Sequence, residues 1–182
     1  MAVDLTPTIA ALLLECLCEA VNANANPPAH CCYRLPGEVA MDADMYTNLC
    51  CQGLAYVSVS DFWVSSNSFP EQDIIRQAQA RCAPPSWGVE LKMGIIRCAP
   101  VGTDTTMPTC ADFLVAHTQS LVDAQSLRQA ACCFRNNFPN LDPQLDGMSV
   151  VISRQTANTP QGGCFERSMQ ISAQFPTACD GC

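Results

Sequence analysis

Charge is what this chain has least of. Nine Lys plus Arg and 17 Asp plus Glu make only 14% of 182 residues charged, whereas ordinary soluble domains carry about a quarter. A surface this poorly charged is expected to be covered in part by neighbouring subunits or partners. There is a single lysine, Lys92, and the arginines are scattered from Arg34 to Arg167, so no basic cluster is present to neutralise a phosphate backbone. That excludes tight nucleic-acid binding as the main activity. The net charge of -8 suits instead a wall along which DNA passes without being captured.

Other absences narrow the choice further. His30 and His117 are the two histidines, and no Cys near either stands in a recognisable nucleophile motif, so a Cys-His catalytic pair gives way to a bland reading of His117 as a polar helix residue. Neither GxxxxGK[ST] nor GxGxxG occurs, which leaves Gly162-Gly163 as a hairpin turn rather than a phosphate loop. No run of 18 apolar residues free of charge is found, so no membrane span or membrane partner is expected. The opening residues MAVDLTPTIAALLLECLCEA have no Lys or Arg ahead of the apolar run, carry Asp4 and Glu15, and offer no convincing cleavage site. They do not read as a secretory signal.

What is present is apolar: 48% hydrophobic residues, the opposite of a disordered composition. At this length one domain spanning 1–182 is expected. A helix reads from Pro7 to about Ala23, with Thr6 as cap and Pro7 in the first turn. Ile9, Leu12, Leu13, Cys16, Leu17, Ala20 and Val21 form its apolar stripe, while Glu15, Glu19 and Asn22 face away. NANANPP ends it. His30 to Leu35 reads as a short strand, Tyr46 to Val64 as one long or two abutting strands, and Trp87 to Cys98 as another with Val89, Leu91, Met93 and Ile95 on one side. Between them, 65–86 is an excursion loop holding Pro70, Pro84 and Pro85 and a short helical candidate at Gln72 to Ala80.

Thr109-Cys110-Ala111-Asp112 matches a capping box with Asp in place of Glu. It opens a second long helix, running to about Arg135, with a stripe of Phe113, Ala116, Ser120, Ala124, Leu127, Ala131 and Phe134. Met148 to Thr156 and Cys164 to Phe175 then form a hairpin around Asn158 to Gly163. In its last strand Phe165, Arg167, Met169, Ile171, Ala173 and Phe175 alternate with Glu166, Ser168, Gln170, Ser172 and Gln174, one face buried and one wet or partner-facing. Residues 176–182 read as a flexible tail containing Cys179 and Cys182. The sum is an α+β domain, a mostly antiparallel β-sheet with two long helices packed on one face.

Fourteen cysteines without an export signal pose a question of compartment: reduced core thiols, metal ligands, or a protein made in the cytosol and later exposed to oxidising surroundings. The candidates for disulfides are Cys31, Cys32, Cys50, Cys51, Cys82, Cys98, Cys110, Cys132, Cys133 and Cys164. Neighbours in a strand point to opposite faces, so one member of a vicinal pair bonds inside while the other looks outward. A zinc reading rests on the CxxC of Cys179 and Cys182 and on His30-Cys31-Cys32 facing Cys50-Cys51, but a second ligand pair of characteristic spacing is missing. A thiol-redox reading lacks the βαβ context. No cofactor is expected. Among aromatics, Phe62, Trp63 and Phe69 flank the excursion loop and are candidate subunit-interface residues, with the core as the alternative home of Trp63.

Ordered blocks carry a resemblance over most of the chain: LTPTIAALLLECLCEAV, HCCYR, LCCQGLAYVSV, WGVELKMGIIRCAPVG, a TCADF helix ending in RQAACCFRN, GMSVVISRQ, and a GGC-led last strand. Together they resemble tail terminator proteins of siphophages infecting actinobacteria. The resemblance implies a virion protein without catalysis, synthesised in the host cytoplasm and placed at the head-tail junction. It implies a homo-oligomer in a hexameric ring that ends tail-tube polymerisation, contacts the tail-tube protein, and docks the head-completion or stopper protein while DNA passes through. Rival readings are another neck or tail-tube subunit, such as a head-tail stopper, or a small cysteine-rich zinc or thiol-redox domain.

Overall fold

The computed structural model describes residues 5–35, 52–65, 69–71, 86–102, 106–141, 148–161 and 163–176. The expected excursion helix, the Tyr46 to Cys51 part of the second strand, and the tail beyond Pro176 lie outside these residues. Helix α1 spans Thr6–Asn22 and helix α2 Cys110–Asn137, followed by a 3-10 turn at Phe138–Asn140. The strands are β1 (His30–Tyr33), β2 (Leu54–Ser65), β3 (Ser86–Cys98), β4 (Ser149–Gln161) and β5 (Cys164–Pro176). They form one sheet in the order β1-β2-β3-β5-β4. Only β1 runs parallel to its neighbour; the other three pairings are antiparallel. Both helices lie on one face, α1 over β1 to β3 and α2 over β3, β5 and β4. The expected α+β class is therefore the observed one.

The apolar stripe explains how α1 docks. Ile9, Leu13, Leu17 and Val21 have no exposure at all, each worth roughly 2 kcal/mol relative to a solvated side chain. Its start differs from expectation, since Leu5 is the cap residue and makes no side-chain bond, while Thr6 is already helical and buried. Pro7 in the first turn, where no backbone N–H is missed, starts the helix without a polar cap.

Opposite α1 and α2, Val89, Leu91, Met93 and Ile95 of β3 pair with Ala173, Ile171, Met169 and Arg167 of β5, and all four β3 side chains are fully buried. Strand β2 carries a bulge between Val59 and Asp61. An extra residue there shifts the parity of the strand, so Tyr56 ahead of the bulge and Trp63 beyond it stand on the same, helix-free face. Each lies over a glycine of β3: a Cβ at Gly94 would fall 2.7 Å from the Tyr56 ring and one at Gly88 2.3 Å from the Trp63 ring. The helix-free face of β5 is less wet than its polar sequence suggests, because Ser168 and Ser172 are buried there. The hairpin is also longer than expected. Strand β4 runs through Pro160, tolerated on an edge strand, to pair Gln161 with Cys164 beside Gly163 at φ 82°.

Helix α2 has the expected capping box, with the Thr109 hydroxyl accepting from the Asp112 N–H and the Asp112 carboxylate accepting from the Thr109 N–H. At 28 residues it is about 42 Å long, longer than its support. Burial begins at Ser120. Phe113, expected on the core stripe, is 54% exposed. The cause is the end of the sheet: Ser120 and Asp123 already sit over Arg167 and Arg97, close to where β3 stops and β5 starts, so residues 110–119 overhang.

Candidate functional site

The overhang is rooted in a buried polar joint. Asp123 has no exposure and receives Arg97 Nη2 at 2.9 Å, Arg97 Nε at 3.1 Å and Gln119 Nε2 at 3.1 Å. Arg97 Nη2 also donates to the Asn26 carbonyl at 3.0 Å, after the end of α1. Around it, Arg167 of β5 donates to Ser120 Oγ, Gln155 of β4 to the Ala124 carbonyl, and Asn24 to Ser126 Oγ. Three strands and the α1 connection thus grip two turns of α2. Gly53 makes room: its φ is 84° and a Cβ there would fall 2.8 Å from Arg97 Nη1. Alongside, a cleft of about 720 Å3 opens between the β3 end and the overhang, bounded by Arg97, Gln119, Val101, Met107, Val115 and Phe165. A sequence without neighbours in space gave no sign of this joint, since Arg97 and Asp123 belong to no motif.

A second polar cluster sits on the helix-free face. The Tyr56 hydroxyl donates to the Glu166 carboxylate, which also receives Lys92 Nζ at 2.9 Å and the Asn158 amide. Arg34 lies 5.0 Å over the Tyr56 ring. Burial, reinforced by the bond to Glu166, pushes the Tyr56 phenol far above its usual range. Burial alone would raise the Glu166 carboxyl too, but the donors Tyr56, Lys92 and Asn158 outweigh it and hold the group below the usual carboxylate range. A phenol that keeps its proton and a carboxylate filled by three donors clasp β2, β3, β5 and β4 together. A hollow of about 670 Å3 lies next to them, lined by Lys92, Arg154, Thr156, Ser168 and Gln170 among others.

Among the described residues, two groups of apolar side chains stand exposed. On the overhang and the loop before it, Val101, Met107, Phe113, Leu114, Val115 and Leu121 are each more than half exposed, and positions 113–122 carry no formal charge. At the sheet edge, Tyr33 of β1 and Leu35 just after it are 54% and 83% exposed. The proposed interface aromatics divide. Trp63 is buried on Gly88, so for it the core alternative holds; Phe62 is half exposed because it points away from that ring, and Phe69 is half-buried. His30 and His117 are both exposed.

The cysteines are sorted by the fold. Cys16 bonds Cys133, tying α1 to α2, and Cys18 bonds Cys31, tying α1 to β1. Cys98 and Cys164 are disulfide-bonded as well. Cys32, Cys110 and Cys132, expected among the bonded ones, are free and exposed. The reason is directional: Cys32 faces opposite to Cys31 across the strand, Cys132 is on the outer side of α2, and Cys110 opens the overhang. Cys16 and Cys18 were not among the disulfide candidates, because Cys16 fits the apolar stripe as an ordinary core residue. Cys50, Cys51, Cys82, Cys179 and Cys182 lie outside the described residues. Among the described residues no group of three His, Cys, Asp or Glu side chains is placed to hold a metal, and no helix is long and apolar enough to cross a membrane. No protein-family model matches the chain, and no curated protein is similar enough to it to stand as a relative.

Proposed function

We propose that this chain is a structural virion protein, one subunit of a closed ring at the head-proximal end of a siphophage tail, where it ends tail-tube polymerisation and joins the tail to the head-completion proteins. The observation that carries the reading is the overhang and the turn behind it: the uncharged stretch 113–122, with Phe113, Leu114, Val115 and Leu121 turned to solvent, is the mark of a surface that another protein covers. The block-by-block resemblance to actinobacteriophage tail terminators supplies the location. Among the described residues β1 and β4 are the sheet's two edges, and an edge strand is a surface that a neighbouring chain can extend. Its acidity favours DNA transit over DNA capture. Disulfides fit a protein made in a reducing cytosol that later works outside the cell. The role requires no catalytic residue and no cofactor.

The test is immunogold labelling of intact particles. A single cluster at the head-tail junction, at ring copy number, is the expected result. Label along the whole tail would make the chain a tube subunit, and unlabelled particles would end the virion reading.

A further inference from the structure

Strand β1 docks with almost no apolar grip. Of its four residues His30, Cys32 and Tyr33 are exposed and Cys31 alone is half-buried, so little apolar surface leaves water when the strand is seated. It has one neighbour, β2, and among the described residues it is an edge of the sheet. The chain just before it is fastened: the Asn26 carbonyl accepts from Arg97 Nη2, and buried Pro28 packs where Gly53 leaves room. After Pro28 the ties are the backbone ladder, the Arg34 N–H donating to the Val57 carbonyl, the Arg34 guanidinium over the Tyr56 ring, and the Cys18–Cys31 bridge to α1. Ladder bonds of so short and exposed a strand barely offset the entropy of ordering it. We infer that the Cys18–Cys31 bridge is a redox latch: oxidised, it keeps β1 on the edge of β2, and reduced, it lets residues 29–34 swing away about Pro28 and uncovers that edge. The inference stands independently of the ring reading.

Access singles out this bridge. Cys18 and Cys31 are both half-buried, whereas Cys16 is 2% exposed. A thiolate must reach a sulfur to displace its partner; the Cys18–Cys31 bridge offers both sulfurs, the Cys16–Cys133 bridge only one. One thiolate of a small dithiol attacks a sulfur of the bridge, forming a mixed disulfide and releasing the other cysteine as a thiolate that takes up a proton. The second thiol of the reductant then displaces the first cysteine and leaves in a cyclic disulfide, so two electrons and two protons pass to the protein. A small disulfide such as oxidised glutathione reverses both steps. What opening uncovers is defined by the register: Leu54, Ala55, Tyr56 and Val57, the partners of β1 on β2, are all buried. With β1 gone, the N–H and C=O groups they turn towards it become a free strand edge.

Hydrogen exchange read by mass spectrometry, on the full chain titrated with dithiothreitol and alkylated at each step, tests the latch. Cys18 and Cys31 are expected to be alkylated before Cys16 and Cys133. At that point the amides of 29–34 are expected to exchange about 100-fold faster, the factor that a bridge spanning 13 residues contributes, while those of β3 and β5 keep their protection. A Cys18→Ser, Cys31→Ser double variant is expected to show the same pattern without reductant. Three results each overturn the inference: alkylation of Cys16 and Cys133 first, unchanged exchange at 29–34 once Cys18 and Cys31 are free, or protection lost from β3 and β5 at the same step. The last would make the bridge a support of the whole fold instead of a latch on one strand. If the double variant fails to fold, the partly reduced wild type carries the test by itself.

Discussion

Asp123 reaches full burial only because Arg97, Gln119 and the turn around them are already in place. Removing one member of such a pair strands the other. Asp123→Ala is expected to lower stability by about 3–5 kcal/mol, while an Arg97→Met, Asp123→Leu double variant loses much less, because no charge is then left buried. Urea midpoints measure both. The Tyr56-Glu166 clasp adds a pH dependence with a definite sign. Raised in the fold, the Tyr56 phenol contributes stability that is whole below its ordinary value of 10 and is lost as pH climbs from there. Lowered in the fold, the Glu166 carboxyl contributes stability that is whole above its ordinary value of 4.5 and is lost as pH falls through its folded value. Melting temperature against pH is therefore expected to fall at both ends, with Tyr56→Phe flattening the alkaline limb and Glu166→Gln the acid one.

The two disulfides of α1 each join it to another element, and the elements differ in how far apart the chain places them. Cys16 and Cys133 are separated by 117 residues, Cys18 and Cys31 by 13. Since a bridge constrains the unfolded chain more when it closes a longer loop, Cys133→Ser is expected to cost about 4–5 kcal/mol and Cys18→Ser about 3. Calorimetry of the oxidised proteins compares them. The elements themselves were largely legible in the sequence where the signal is local: the stripe of α1, the alternation of Val89, Leu91, Met93 and Ile95, and the capping box at Thr109. What stayed hidden depends on partners distant in the chain. Periodicity continues through Phe113 and Ala116 because nothing in a helix records where the sheet beneath it stops. Likewise, HCCY reads as a strand, but its parallel seat beside β2 is a fact of pairing. The bulge after Val59 moved Trp63 onto the face of Tyr56, which simple alternation assigns to the other side.

For the whole molecule, charge opposes the assembly proposed above. Every copy added to a ring brings -8, and the repulsion among copies is long-ranged at low ionic strength. If the contacts are apolar at their centre, salt screens the repulsion and leaves the attraction, so the assembled fraction is expected to rise between 50 and 500 mM salt, as sedimentation velocity would show. An assembly held by ion pairs would respond in the reverse sense. The two bridges on α1 also have a mechanical meaning. Cys16 and Cys18 stand two residues apart and lead to α2 on one side and to β1 on the other. A pull that reaches the last two turns of α1 is therefore handed, within about half a helical turn, to covalent bonds that spread it into both the helical layer and the sheet. The second half of the helix cannot be peeled off its apolar seat one turn at a time, and under the ring role proposed above such a subunit is expected to give way first at its contacts with neighbours.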